Sequence, residues 1–145
     1  MTLSLAVLGE PATKKASFAA HLTDTQRIFF CSDTKEQPLN KVLVSELHRY
    51  EFFQPSTRFC RSLVVDIDHI FAEHYIFDLH EQVRPHAMVF TTKGVQAFWL
   101  IEGLPLTDNG RVAPIRFARD VGALLRRACH GDEAVDPLTP SKCRN

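Results

Sequence analysis

Two carboxylates one residue apart, Asp66 and Asp68, close the aliphatic run Leu63-Val64-Val65-Asp66-Ile67-Asp68. Such a run reads as a buried strand that delivers charge to its exposed end. Side chains alternate across a strand, so the two acids project from one face and Val65 and Ile67 from the other. At roughly 3.3 Å per residue their Cα atoms lie about 6–7 Å apart. Carboxylates at that separation repel when bare, and can turn inward to grip one or two hard divalent cations, for which oxygen is the preferred ligand. Aspartate at a strand end also serves local turn hydrogen bonding. On these residues alone both readings stand.

Other residues that could do chemistry lie further along. Thr91-Thr92-Lys93-Gly94 is a short loop between two apolar runs, Ala87 to Phe90 and Val95 to Ile101, and predicts a hairpin that presents a lysine beside a glycine. Gln96 is the one polar residue inside the second run, which is apolar on both faces and therefore central. A buried amide needs hydrogen-bond partners, so Gln96 either ties down a neighbouring backbone or faces a ligand. Val135-Asp136-Pro137 supplies a third acid after a short apolar approach, with proline keeping Asp136 out of helical geometry. The stretch from His69 to Glu81 holds three histidines, His69, His74 and His80, but they lack the i, i+4 spacing that pairs ligands on a helical face. An exposed linker or helix suits them better than a zinc site.

The elements that must position these groups follow from hydrophobic pattern. Ile28 to Cys31 predicts a strand closed by the turn-prone Ser32-Asp33-Thr34. From Pro38 to Phe53, Leu39, Val42, Leu43, Leu47 and Tyr50 recur at helical spacing and predict an amphipathic helix. A short helix over Thr13 to His21 has alanines in its favour. Ile115, Ala118, Val121, Gly122, Leu125 and Cys129 mark one face of a helix from about Ala113 to Cys129, and Arg116, Arg119, Arg126 and Arg127 flank it as a solvated or a nucleic-acid-facing surface. Strands interspersed with helices, one hairpin among them, predict an α/β or α+β domain.

The chain has 145 residues, 45% hydrophobic and 23% charged, which suits one soluble globular domain. A formal net charge of +0 argues against a globally basic nucleic-acid binder, and leaves room for a local patch. Cys31, Cys60, Cys129 and Cys143 are scattered and form no Cys-x-x-Cys ligand motif, so they read as reduced thiols of a cytoplasmic protein. Leu3 to Leu8 is apolar but has no basic flank and is too short to span a bilayer, so no membrane association is expected.

Taken in order, the Asp-x-Asp strand end, the Lys-Gly hairpin and the later apolar-Asp resemble the three motifs of the archaeo-eukaryotic primase superfamily. The closer resemblance is to its plasmid replicase branch, the initiator primases of theta-replicating plasmids. Val64 to Asp68 is similar to the first motif, whose two aspartates hold the catalytic metals. Phe29-Phe30-Cys31-Ser32-Asp33 is similar to an aromatic-Cys-Thr/Ser segment of those replicases, and Arg84-Pro85-His86 through Pro105 resembles their Pro-polar segment, strand, glycine turn, strand and Leu-Pro exit. Val135-Asp136, with Lys142, Arg144 and Asn145, resembles the third motif and the basic segment after it. One departure stands out. The second motif usually carries a histidine on the nucleoside triphosphate, whereas no histidine lies between Lys93 and Glu102. Gln96 is the residue there that can donate to a phosphate oxygen, without adding positive charge.

The resemblance implies an α+β fold of primase type, a mixed or antiparallel sheet of the RNA-recognition-motif kind packed with helices. It implies one catalytic domain over residues 1–145, the N-terminal part of a longer replication initiator, that makes primers from nucleoside triphosphates. Asp66, Asp68 and Asp136 are then the catalytic and metal-holding residues, with Mg²⁺ or Mn²⁺ as cofactor. Lys93, Gln96, Lys142, Arg144 and His86 become the nucleotide-binding set, with Arg84 as a further contributor. The implied partners are nucleoside triphosphates, a single-stranded DNA template, plasmid origin DNA and the host DNA polymerase. Two other functions compete: a metal-dependent nuclease, which uses the same clustered acids, and a catalytically silent DNA-binding module, which the missing histidine favours.

Overall fold

The computed structural model describes residues 5–7, 28–140 and 142–144. Two antiparallel sheets of four strands and two helices make up these residues, so the class is α+β. Among the described residues every strand pairing is antiparallel, the antiparallel branch of the expectation. The first sheet has the order β1 (Leu5–Val7), β6 (Ala87–Phe90), β7 (Val95–Pro105), β5 (Phe59–Ile67). The second runs β3 (Asn40–Leu43), β2 (Ile28–Ser32), β4 (Phe52–Gln54), β8 (Cys143–Arg144). Helices α1 (Ala72–Phe77) and α2 (Val112–Ala128) join the first sheet's outer core.

Strand alternation sorts the core into two layers. Leu63, Val65 and Ile67 of β5, Met88 of β6, and Val95, Ala97 and Trp99 of β7 face the helices, where they meet Ile76, Ala118 and Leu125. Val64, Ala87, Val89 and Phe98 face the other way, onto Phe29, Cys31, Val42, Phe53 and Cys143 of the second sheet. A register shift between Cys60 and Ser62 breaks the alternation of β5. The bulge turns Cys60 into the helix-side core while Val64 stays in the layer between the sheets.

Helix α2 begins with Pro114 in its first turn, where a missing N–H costs nothing. It ends in a paired cap: His130 N donates to Arg127 O at 3.3 Å, and Gly131 N donates to Arg126 O at 2.8 Å. The left-handed position of such a cap usually takes glycine. Here His130 occupies it with φ 54, and the glycine comes one residue later because a Cβ at Gly131 would collide with Val65. β5 is the edge of its sheet, and the chain after α2 covers that edge: Asp132 N donates to Asp66 O at 2.7 Å and Val64 N to Pro137 O at 2.9 Å.

The strands expected at Ile28–Cys31, Ala87–Phe90 and from Val95, and the helix expected from Ala113, are all present. The amphipathic helix expected from Pro38 to Phe53 is not. That stretch forms β3, a 3-10 turn at Val44–Arg49, and β4. Val42 pairs with Phe29 and Phe53 with Cys31 across the ladder, and burial in the layer between the sheets outweighs a periodicity that suits either element. Leu5–Val7, read only as a short apolar run, is an edge strand on β6. The helix expected over Thr13 to His21 lies outside the described residues. All four cysteines are buried free thiols, and burial raises the Cys60 and Cys129 thiols to about 11.

Candidate functional site

The two sheets part at one end, and the gap is a cleft of about 310 Å³ lined by Asp66, Asp68, Lys93, Gln96, Lys142 and residues of the loop after β2. Asp66 reaches it because β5 alternation points it to the same side as Val64, just beyond the inter-sheet core. Gln96 stands opposite it in the β5–β7 ladder, and its Nε2 donates to Asp66 Oδ2 at 3.4 Å. Gln96 is 6% exposed, so its amide meets the carboxylate in a largely dry setting.

Two glycines hold the end of β5 in place from both edges. A Cβ on Gly94 would collide with the Ile67 carbonyl oxygen, so only glycine lets the hairpin turn approach β5 that closely. The turn itself is tied by Thr91, whose Oγ1 accepts from Lys93 N at 3.2 Å and Gly94 N at 3.0 Å. On the other edge Gly131 allows the Asp132 amide to reach Asp66 O. The backbone carrying the first acid is therefore fixed before any ligand arrives.

Burial pushes the Asp66 carboxyl above its usual range, and the charge of Asp68 adds to that, with Asp132 contributing in the same direction. The Gln96 hydrogen bond and the charge of Lys35 pull the other way. A desolvated carboxylate beside a like charge is a site that a cation would relieve.

Lys142 is held by the loop after β2. Its Nζ donates to Lys35 O at 2.5 Å, Gln37 O at 2.7 Å and Thr34 O at 3.5 Å. This strap fixes the segment that carries Lys35 into the cleft, where Glu36 and Glu51 also contribute to the lining. Lys35 went unrecognised in the sequence. The signal available was a charged turn directly after an apolar strand, which says nothing of the sheet it faces.

Of the residues expected to act together, Asp66, Asp68, Lys93, Gln96 and Lys142 share the cleft. Asp136 is not brought to the pair. Its Oδ1 accepts from Leu138 N at 3.0 Å and its Oδ2 from Thr139 Oγ1 at 2.9 Å, and its charge is felt at Cys60, toward the opposite end of β5. His86 lies at the end of the β6–β7 hairpin away from the turn, where its Nδ1 accepts from Leu100 N at 3.1 Å. Arg84 donates to Phe77 O at 2.8 Å and Leu79 O at 3.2 Å and so pins the chain after α1. Arg144 belongs to β8, paired with Phe52.

Among the described residues no group of three or more His, Cys, Asp or Glu side chains could hold a metal ion. Asp66 and Asp68 are the acids that the end of β5 brings to the cleft, and Glu36 and Glu51 line it from the side of the second sheet. An aspartate pair fits one hard cation that completes its shell with water and phosphate oxygens, the usual way Mg²⁺ is held.

With this geometry in hand, comparison with known proteins gives a family. The sequence profile of the Replicase family matches residues 24–139. The chain belongs to the Replicase family, and its role is associated with DNA replication. No curated protein and no solved structure matches it. No helix among the described residues is long and apolar enough to cross a membrane.

Proposed function

We propose that the chain is the catalytic domain of a plasmid replication initiation protein and that it synthesises primers from nucleoside triphosphates on a single-stranded DNA template. The observation that carries this reading is the half-buried Asp66 facing Asp68, Gln96 and lysines in one cleft of a Replicase-family chain. Asp66 and Asp68 would hold Mg²⁺ or Mn²⁺, which when bound lowers the pKa of an attacking hydroxyl and offsets the charge of a leaving pyrophosphate. Gln96 orients the Asp66 carboxylate, which makes it a positioning residue. Lys35 and Lys93 supply positive charge along the cleft for a polyphosphate. Lys142 acts through the Thr34–Gln37 loop that it straps down. Asp136 shapes the segment whose Pro137 carbonyl caps β5.

The test is primer synthesis on a single-stranded template with Mn²⁺ and nucleoside triphosphates. Asp66→Asn is expected to lower the rate roughly 100-fold or more, the scale of removing one charge-stabilising group. Full activity in Asp66→Asn would overturn the reading. A second reading has its own support, because Asp136 bonds within its own turn and does not join the acid pair. A silent DNA-binding module would bind DNA and extend nothing. Shortening of labelled DNA in the same assay, independent of nucleotides, would instead identify a nuclease.

A further inference from the structure

A second cavity, about 260 Å³, lies against the hairpin turn, lined by His69, Ile70, Glu73, Phe90 and the same Thr91–Gly94 segment, Lys93 included. Thr91, Thr92 and Lys93 of this turn are thus common to this cavity and the carboxylate cleft. Beside the cavity runs a chain of rings. Phe71 stands with His74 (centroids 6.0 Å apart) and His69 (5.5 Å), His69 with Tyr75 (5.3 Å), and Tyr75 with His130 (4.5 Å).

Apart from Tyr75, which is half-buried against the helix-side core, this run is exposed where a core aromatic cluster would be buried. Phe71 is 50% and Ile70 85% exposed, and His69, His74 and His130 are also exposed. Its placement is nonetheless fixed. Phe71 N donates to His69 Nδ1 at 3.1 Å, and Arg84 holds the carbonyl of Phe77 at the end of α1. His130 is set by the α2 cap in a left-handed conformation that brings its ring to Tyr75. Neighbouring rings tilted against one another, with Lys93 at the edge of the cavity, offer faces and edges on which unpaired bases can stack while the phosphate backbone stays toward solvent. Glu73 in the cavity wall keeps the phosphates at a distance and can accept from a base N–H.

We propose that His69, Phe71, His74, Tyr75 and His130 form a stacking platform for unpaired nucleobases of single-stranded nucleic acid, which leads the strand past Lys93 toward the carboxylate cleft. The proposal names the template path of the site described above and rests on that reading for its direction, but not for its binding test. That test uses the whole chain without metal or nucleotide. Anisotropy of a fluorescent oligothymidylate is compared with an abasic oligonucleotide of equal length, for the natural chain, Phe71→Ala, Phe71→Trp and, as an exposed aromatic away from the platform, Phe117→Ala. The expected results are binding of oligothymidylate well above abasic, a loss of roughly fivefold or more in Phe71→Ala, retention in Phe71→Trp, and no change in Phe117→Ala. Equal affinity for both oligonucleotides, no binding, or Phe71→Ala binding like the natural chain would overturn the platform. A lost primer-synthesis activity with intact stacking would count against the cleft reading alone.

Discussion

Asp66 and Gln96 face one another across the β5–β7 ladder, with the Gln96 amide donating to the carboxylate at 3.4 Å in a setting where Gln96 is 6% exposed. The amide is one of two influences that favour the ionised acid, the other being the charge of Lys35. Gln96→Leu removes a donor of similar volume and lets the Asp66 carboxyl rise further. Mn²⁺ affinity measured by calorimetry is expected to fall about tenfold, the lower end of what loss of an outer-sphere partner costs a metal site.

The raised Asp66 carboxyl also has a consequence for stability. A group whose pKa is higher in the folded than in the unfolded chain contributes stability that is complete below the unfolded value and lost as pH rises through the folded one. Ionised Asp66 therefore costs the metal-free protein stability near neutral pH. Asp66→Asn keeps an acceptor for Gln96 and removes the charge, so its metal-free Tm at pH 7 is expected to rise, at about 3 °C per kcal/mol for a domain of this size. The difference should shrink as pH falls into the carboxylate range, and Mn²⁺ should raise the Tm of the natural chain but not of the variant.

Gly94 separates the hairpin turn from the Ile67 carbonyl by less than a methyl group. Gly94→Ala forces the turn away from β5, and urea unfolding is expected to show a loss of about 1–3 kcal/mol, the range for overpacking a tight contact. Gly103, whose added Cβ would first meet the side chain of Phe59 rather than backbone, should tolerate alanine better.

Lys142 reaches the backbone carbonyls of Thr34, Lys35 and Gln37. Lys142→Met keeps the aliphatic stem and removes the donors. Amide hydrogen exchange at residues 33–37 is expected to speed up, while protection in β5 and β7 stays as it was. Nucleotide binding should weaken in parallel, through displacement of Lys35.

Much of this arrangement was legible in the chain because it depends on local rules. Two-residue periodicity places Asp66 on the face opposite Val65, and a Lys-Gly pair between apolar runs marks the turn. The partnership of Gln96 with Asp66 required the register of two strands about thirty residues apart, which periodicity alone does not fix. Lys35 was invisible for a similar reason: the packing of one sheet on another decides which loops share a cleft. The misread helix from Pro38 shows the same limit, since its spacing satisfied two elements and pairing with β2 chose between them. Asp136 did carry a readable local signal. Aspartate followed by proline and, three residues on, threonine is turn chemistry, and its carboxylate binds Leu138 N and Thr139 Oγ1 accordingly.

The central claim is that Asp66 and Asp68 form a cation-dependent triphosphate site. Calorimetric titration of a nucleoside triphosphate into the protein, with and without Mn²⁺, tests it most directly. The account predicts Mn²⁺-dependent binding in the natural chain, retained in Asp136→Asn and lost in Asp66→Asn. Binding that ignores Mn²⁺, or that is equally strong in Asp66→Asn, would contradict it.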